Sequence, residues 1–226
     1  LGAIREIKRR VPNMELHAST QMSVQSIEGI RILEKFGFSR AVLPRELSEK
    51  EIKAISEQTD MELECFVHGA LCMCVSGQCL MSAMLGGRSG NRGECAQPCR
   101  LPYAGGYPLS LKDSCLAVHI PRLIECGVSS LKIEGRMKSP DYVYTVVSTY
   151  RALLDANRPA TEGENDRLRR AFSRGGFTDG YFTGKLSHMG GVRRAEDKIL
   201  NNPDAPQEEK DAILQRRAAQ QPAKTE

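Results

Sequence analysis

Apolar positions along this chain alternate between short runs that suit strands and stretches spaced by three and four that suit helices. Residues 1–10 (LGAIREIKRR) read as the end of a helix closed by Pro12, and Met14 to Thr20 (MELHAST) as a short strand. Val24, Ile27, Ile30 and Leu33 form a helical stripe ended by Gly37, a fitting C′ residue. Arg40 to Leu43 is a second strand, and Ser48 with Glu51 forms a capping box that opens a helix through Ile52 and Ile55. Leu63 to Val67 (LECFV) is a third strand, Pro108 to Leu111 a fourth, and Leu131 to Glu134 (LKIE) a fifth. Between the last two, Leu116 to Cys126 reads as a helix ended by Gly127. Ser139 caps a further helix with Pro140 at its first position and Val143, Val146, Val147, Tyr150, Leu153 and Leu154 as apolar sites.

Strands alternating with helices predict βαβ units and a parallel sheet, hence an α/β protein. A helix already running at residue 1 leaves room for three earlier strands, so the expectation is the C-terminal part of a (β/α)8 TIM-like barrel. On this reading residues 1–157 are a partial barrel that includes a cysteine-rich loop, 65–100. Residues 158–192 are an irregular Gly- and aromatic-rich segment packing back on it. Residues 193–226 are a polar linker or tail, with a short surface helix near Glu208 to Ala218.

Composition changes this picture in one place. Of eight cysteines, Cys65, Cys72, Cys74, Cys79, Cys95 and Cys99 crowd one stretch that also holds Gly69, Gly77, Gly86, Gly87, Gly90 and Gly93. Glycine lets a loop fold tightly, and soft thiolates on such a loop suit zinc or an iron–sulfur cluster. Cys72, Cys79, Cys95 and Cys99 are separated by six, fifteen and three residues, a poor zinc-ribbon spacing but one that a cluster held by a single loop accepts. Disulfides in a secreted protein are the plain alternative, disfavoured because a large βαβ chain needs no staples. Cys65, Cys115 and Cys126 read as small buried hydrophobes, and Cys74 as a spare thiol.

The net charge of +4 excludes little, and no run approaches the roughly 18 apolar residues of a membrane helix. In barrels, chemistry sits at the carboxyl ends of strands. That singles out His17 and Gln21, His68 before the loop, and the run Lys132, Glu134 and Arg136. A Lys132–Glu134 pair is expected there, with Glu134 and Arg136 as catalytic candidates. Arg88, Arg92, Arg100 and Lys112, interleaved with Tyr103 and Tyr107, suit RNA phosphate contact and base stacking. No Ser–His–Asp order or HExxH helix is present.

Glu64 to Ser82 (ECFVHGALCMCVSGQCLMS) resembles the signature of the family historically called peptidase U32. The resemblance continues through GRSGNRGECAQPCRLPY, LSLKD, SLKIEGRMKSPDYV and GGFTDGYFTGK, with wording most similar to the ribosomal-RNA cytidine hydroxylation branch. It implies a (β/α) barrel with a [4Fe–4S] cluster on Cys72, Cys79, Cys95 and Cys99. It further implies hydroxylation of a pyrimidine in ribosomal or transfer RNA, prephenate as a co-substrate, and a cytoplasmic location. By strand-end position and local charge, rather than by the resemblance, the substrate would meet His17, Gln21, His68, Arg88, Arg92, Arg100 and Lys132. The alternatives it carries are a collagenase-like peptidase and a non-enzymatic, cluster-bearing partner within a hydroxylase complex.

Overall fold

A computed structural model of the chain describes residues 2–135, 138–187, 189–191, 199 and 204–219. Its sheet is built around β3 (Glu62–Gly69), whose residues Leu63, Cys65 and Val67 are buried. β2 (Arg40–Val42) pairs parallel with one edge of β3 and β5 (Val128–Ile133) parallel with the other. β1 (His17–Ala18) pairs parallel with β2. At its carboxyl end β3 meets β4 (Asp113–Cys115) in antiparallel register, and β4 pairs parallel with β6 (Phe177–Thr178).

The six-stranded sheet is therefore mixed, which corrects the uniformly parallel five strands expected from the sequence. The fourth strand is Asp113–Cys115 and not Pro108 to Leu111, where the chain turns through a Ser110 N–H bond to the Tyr107 carbonyl at 3.0 Å. The loop between β3 and β4 contains one α-helix, α4 (Met81–Gly86), only six residues long. Without a longer crossover helix the chain returns antiparallel.

Helices cover one face of the sheet. α1 (Gly2–Arg10) is the exposed leading helix, with no buried residue. α2 (Ile27–Lys35) starts at its Ser26 cap and buries Ile30 and Leu33, and Gly37 beyond it holds φ +76°. α3 (Glu49–Ser56) opens with the expected capping box, the Glu51 carboxylate accepting the Ser48 N–H at 2.7 Å and hydroxyl at 2.6 Å. A short 3-10 turn, Ala117–His119, leads into α5 (Ile120–Glu125). α6 (Pro140–Asp155) starts on Ser139 and buries Tyr142, Val146, Thr149, Tyr150 and Leu153. Val143 and Val147, expected inward, lie beside that stripe and are about half exposed. Leu33, Leu63, Val67, Ile120, Leu123, Val146 and Leu153 are nearly inaccessible, and burying each side chain contributes about 1.5–3 kcal/mol.

Residues 161–190 are more regular than the sequence suggested. Thr161 and Glu164 make a second capping box that starts α7 (Glu162–Ala171), followed by β6 and α8 (Gly180–Thr183). Leu168 and Phe182 from this stretch join the main core. The tail forms α9 (Gln207–Ala219), whose Ile213 is buried. No helix among the described residues is long and apolar enough to cross a membrane.

Candidate functional site

The cysteine loop leaves β3 through Gly69, where φ is +107° and a Cβ would lie 2.5 Å from the Glu134 carbonyl oxygen. Only glycine fits there, so the carboxyl ends of β3 and β5 are pressed together. The Glu134 N–H donates to the His68 carbonyl at 2.8 Å, and the Tyr142 hydroxyl to the Glu134 carbonyl at 2.9 Å. Gly77, at φ +80°, lets the loop touch Gln21, since a Cβ would sit 2.6 Å from its Cα.

Polar side chains fasten the loop to the strand ends. One oxygen of the Glu46 carboxylate accepts the Ser76 N–H and hydroxyl, each at 3.0 Å. Ser23 donates to the Ser76 carbonyl at 3.1 Å, and Gln21 Nε2 to the Asn91 carbonyl at 3.3 Å. Arg100 ties both ends of the loop, donating to the Leu71 carbonyl at 2.5 Å, the Leu111 carbonyl at 2.6 Å and Ser110 Oγ at 3.1 Å. Arg174 grips buried Asp113 with its backbone N–H at 2.8 Å, Nε at 3.0 Å and a terminal nitrogen at 2.7 Å, while its other nitrogen reaches Gln97 at 3.4 Å.

All eight cysteines are free thiols. Cys72, Cys74, Cys79 and Cys99 are half-buried, Cys95 is exposed, and Cys65, Cys115 and Cys126 are buried. Burial chiefly raises the Cys72 thiol, with Cys79, Cys99 and Cys74 adding to the rise. Burial also raises Cys99, opposed by Arg100 and Arg174 and reinforced by Cys95 and Cys79. Five thiols are thus near enough to feel one another, although no three His, Cys, Asp or Glu side chains among the described residues form a metal-binding group. In kind, though not gathered as a preformed metal-binding group, these soft donors suit a thiophilic metal or cluster. Cys65, by contrast, is pushed up to about 12 by burial and sits in the core, as a structural thiol should.

His68 is held by two tyrosines. The Tyr150 hydroxyl donates its proton to the Val67 carbonyl at 2.9 Å and lies 3.3 Å from His68 Nδ1. With that proton committed, the hydroxyl must accept from Nδ1–H, which fixes the tautomer and leaves the Nε2 lone pair. Nε2 is buried without a hydrogen-bond partner, in a ring cage of Tyr142, Tyr150 and Phe177. Burial lowers the imidazole to about 4, so it is neutral at pH 7. A register shift between Phe66 and His68 turns the ring from the other sheet face into this core.

That other face carries charges. Glu64 accepts from Ser130 at 2.8 Å and Lys132 at 2.7 Å, with Arg40 3.6 Å away. The expected Lys132–Glu134 pair is corrected: Glu134 pairs instead with Arg45 at 2.9 Å. Phe66 lies between these pairs, its ring centre 3.6 Å from the Arg45 guanidinium and 5.5 Å from Lys132 Nζ.

Of the residues singled out from the sequence, Gln21, His68, Lys132, Glu134 and Arg100 lie around the junction of strand ends and loop. His17 is half exposed and pairs with Glu15 at 2.9 Å, while Arg88 and Arg92 are exposed on the loop. Arg100 faces inward, its guanidinium engaged within the loop rather than offered to a phosphate. Arg136 lies outside the described residues. Arg45, Glu46, Asp113 and Arg174 were missed. Arg45 and Glu46 follow β2 directly after Pro44, so the strand-end rule that picked His17 and Glu134 could have found them.

The sequence model of peptidase family U32 matches residues 1–190. The chain is 42% identical over 194 residues to the 23S rRNA 5-hydroxycytidine C2501 synthase of Escherichia coli, covering 80% of the chain and 29% of that protein. It is 41% identical over 170 residues to a tRNA hydroxylation protein P1 of Bacillus subtilis, covering 68% of the chain and 40% of that protein. It is 34% identical over 202 residues to a protein named collagenase from Porphyromonas gingivalis, covering 76% and 48%. The chain therefore spans less than half the length of each of these relatives. No solved structure matches it.

Proposed function

Because the chain belongs to peptidase family U32, we propose that it is part of an RNA-modifying protein that hydroxylates a pyrimidine of ribosomal or transfer RNA. On this reading Cys72, Cys79, Cys95 and Cys99 hold a [4Fe–4S] cluster. The observation that supports it best is the gathering of half-buried thiols beside Arg100 and Arg174, a cationic surrounding that suits an anionic thiolate cluster. When bound, such a cluster would supply the electron chemistry that ring hydroxylation requires and that side chains alone lack.

The chain's own residues bind and orient. Glu46, Ser23 and Gln21 hold the loop against the strand ends, as a β/α barrel holds its active loops at the carboxyl side of the sheet. Arg45 and Lys132, flanking Phe66, present two cations and an aromatic face. A small dicarboxylate such as prephenate, the expected co-substrate, would meet these cations already paired with Glu134 and Glu64, and binding there would require it to displace those carboxylates. Neutral His68, enclosed by Tyr142, Tyr150 and Phe177, braces the root of the loop from within the core. Exposed Arg88 and Arg92 suit RNA phosphates.

The collagenase-named relatives make peptidase activity the competing reading. One His–Asp contact could be taken for a protease dyad: His119 Nε2 lies 2.7 Å from Asp179. Its Nδ1, however, lies 3.1 Å from an Arg122 nitrogen, so neither ring nitrogen is left for a nucleophile. The test has two arms. Protein purified without oxygen should contain iron and acid-labile sulfide, and nucleoside mass spectrometry of RNA from a deletion strain should lack one hydroxypyrimidine that the gene restores. Unchanged RNA with cleavage of collagen peptides would reverse the assignment.

A further inference from the structure

Arg100 carries a charge that its hydrogen bonds leave uncancelled. All three go to neutral oxygens, the carbonyls of Leu71 and Leu111 and the hydroxyl of Ser110. Among the described residues no carboxylate forms an ion pair with it, whereas its neighbour Arg174 is matched by Asp113. The region thus holds two guanidinium groups and one close carboxylate. Burial and the nearby Arg174 both disfavour the Arg100 charge, while Cys99, Asp113 and Cys72 favour it. An arginine stays ionised regardless, so a partly buried guanidinium here calls for an anion.

Position says which anion. Arg100 follows Cys99 in sequence, and its longest reach ends on the carbonyl immediately before Cys72. One guanidinium therefore spans the two segments that carry these thiols.

We propose that Arg100 is a positioning residue whose fixed positive charge is the counter-charge of the metal–thiolate group held through Cys72 and Cys99, and that it raises the reduction potential of that group. This rests on the cluster reading above. Adding an electron makes the group more negative, so a cation fixed beside it stabilises the reduced form more than the oxidised one.

The experiment is redox titration, followed by absorbance and electron paramagnetic resonance, of the full protein loaded anaerobically, with iron and sulfide measured beside it. Arg100→Gln should keep its iron and shift to a more negative midpoint. Arg100→Lys, which keeps the charge but loses the fork, should stay close to the unsubstituted protein. Arg92→Gln, removing an exposed charge from the same loop, should leave the midpoint unchanged. An unshifted Arg100→Gln would overturn the inference, as would equal shifts in the Gln and Lys variants, which would make the hydrogen-bonded tie the cause. If Arg100→Gln fails to load, Arg100→Lys decides: loading at the original midpoint supports the charge, and failure to load overturns it. Iron-free unsubstituted protein would instead sink the cluster reading itself, before any substitution is compared.

Discussion

Replacing Arg174 with methionine should be among the most damaging single changes in the chain. Asp113 is almost wholly inaccessible and receives three hydrogen bonds from Arg174, two from the guanidinium and one from the backbone. The substitution removes the two from the side chain and leaves the third. Charge-assisted hydrogen bonds contribute about 1.5–3 kcal/mol each, which gives about 3–6 kcal/mol. Breaking a buried ion pair from one side costs about 3–5 kcal/mol by a separate route, so the two agree. For a domain of this size that corresponds to a fall in Tm of roughly 6–20 °C. The double variant Arg174→Met with Asp113→Leu should recover much of the loss, because no uncompensated carboxylate remains. Urea unfolding of the four proteins in a double-mutant cycle measures the coupling. A single-variant loss under about 1 kcal/mol, or strictly additive losses in the double variant, would refute the reasoning.

Cys72→Ser or Cys79→Ser should abolish iron binding, whereas Cys126→Ser, in the core beyond α5, should keep the iron content of the unsubstituted protein; equal loss in all three would move the site. Gly69→Ala should destabilise by at least about 2 kcal/mol, because a side chain at φ +107° would overlap the Glu134 carbonyl, and a thermal melt as high as the original would disprove that close approach. Burial lets His68 bind its proton only near pH 4 when folded, against about 6.5 for an ordinary imidazole in the unfolded chain. The unfolded chain therefore takes up more protons between those values, so stability should fall as pH drops from about 6.5 to about 4. His68→Gln should flatten that part of the pH–stability curve, and an unchanged slope would show that the imidazole is not held neutral.

What could be read from the sequence was what neighbours in the sequence determine. The capping box at Ser48, the cap at Ser139, the turn at Gly37 and the strands β2, β3 and β5 all rest on signals within a few residues. β4 and β6 are three and two residues long, too short to show a period, and the antiparallel join at Gly69 leaves no local trace. At the site, the crowding of thiols was visible, but their cationic surroundings were not, because Arg174 reaches Asp113 across 61 positions and Arg45 reaches Glu134 across 89. The Lys132 partner was misassigned for a related reason. Along one strand Lys132 and Glu134 share a face, yet the register that sets Lys132 against Phe66 brings Glu64 of the next strand within reach. His68 escaped the alternation rule because the irregularity beside Phe66 shifts it by one face.

The grip of Arg100 on the Leu71 and Leu111 carbonyls works as a drawstring at the neck of a bag. Whatever the chain does between those two residues, the neck stays the same width. The entropy of closing such a loop grows only with the logarithm of its length, about 0.6 kcal/mol for each doubling. Extra residues in the turn that follows α4, at Gly87 and Arg88, would therefore add little to the cost of folding and leave the sheet undisturbed. That turn can lengthen while Gln21 keeps its hold on the Asn91 carbonyl and the thiols near the neck keep their neighbours.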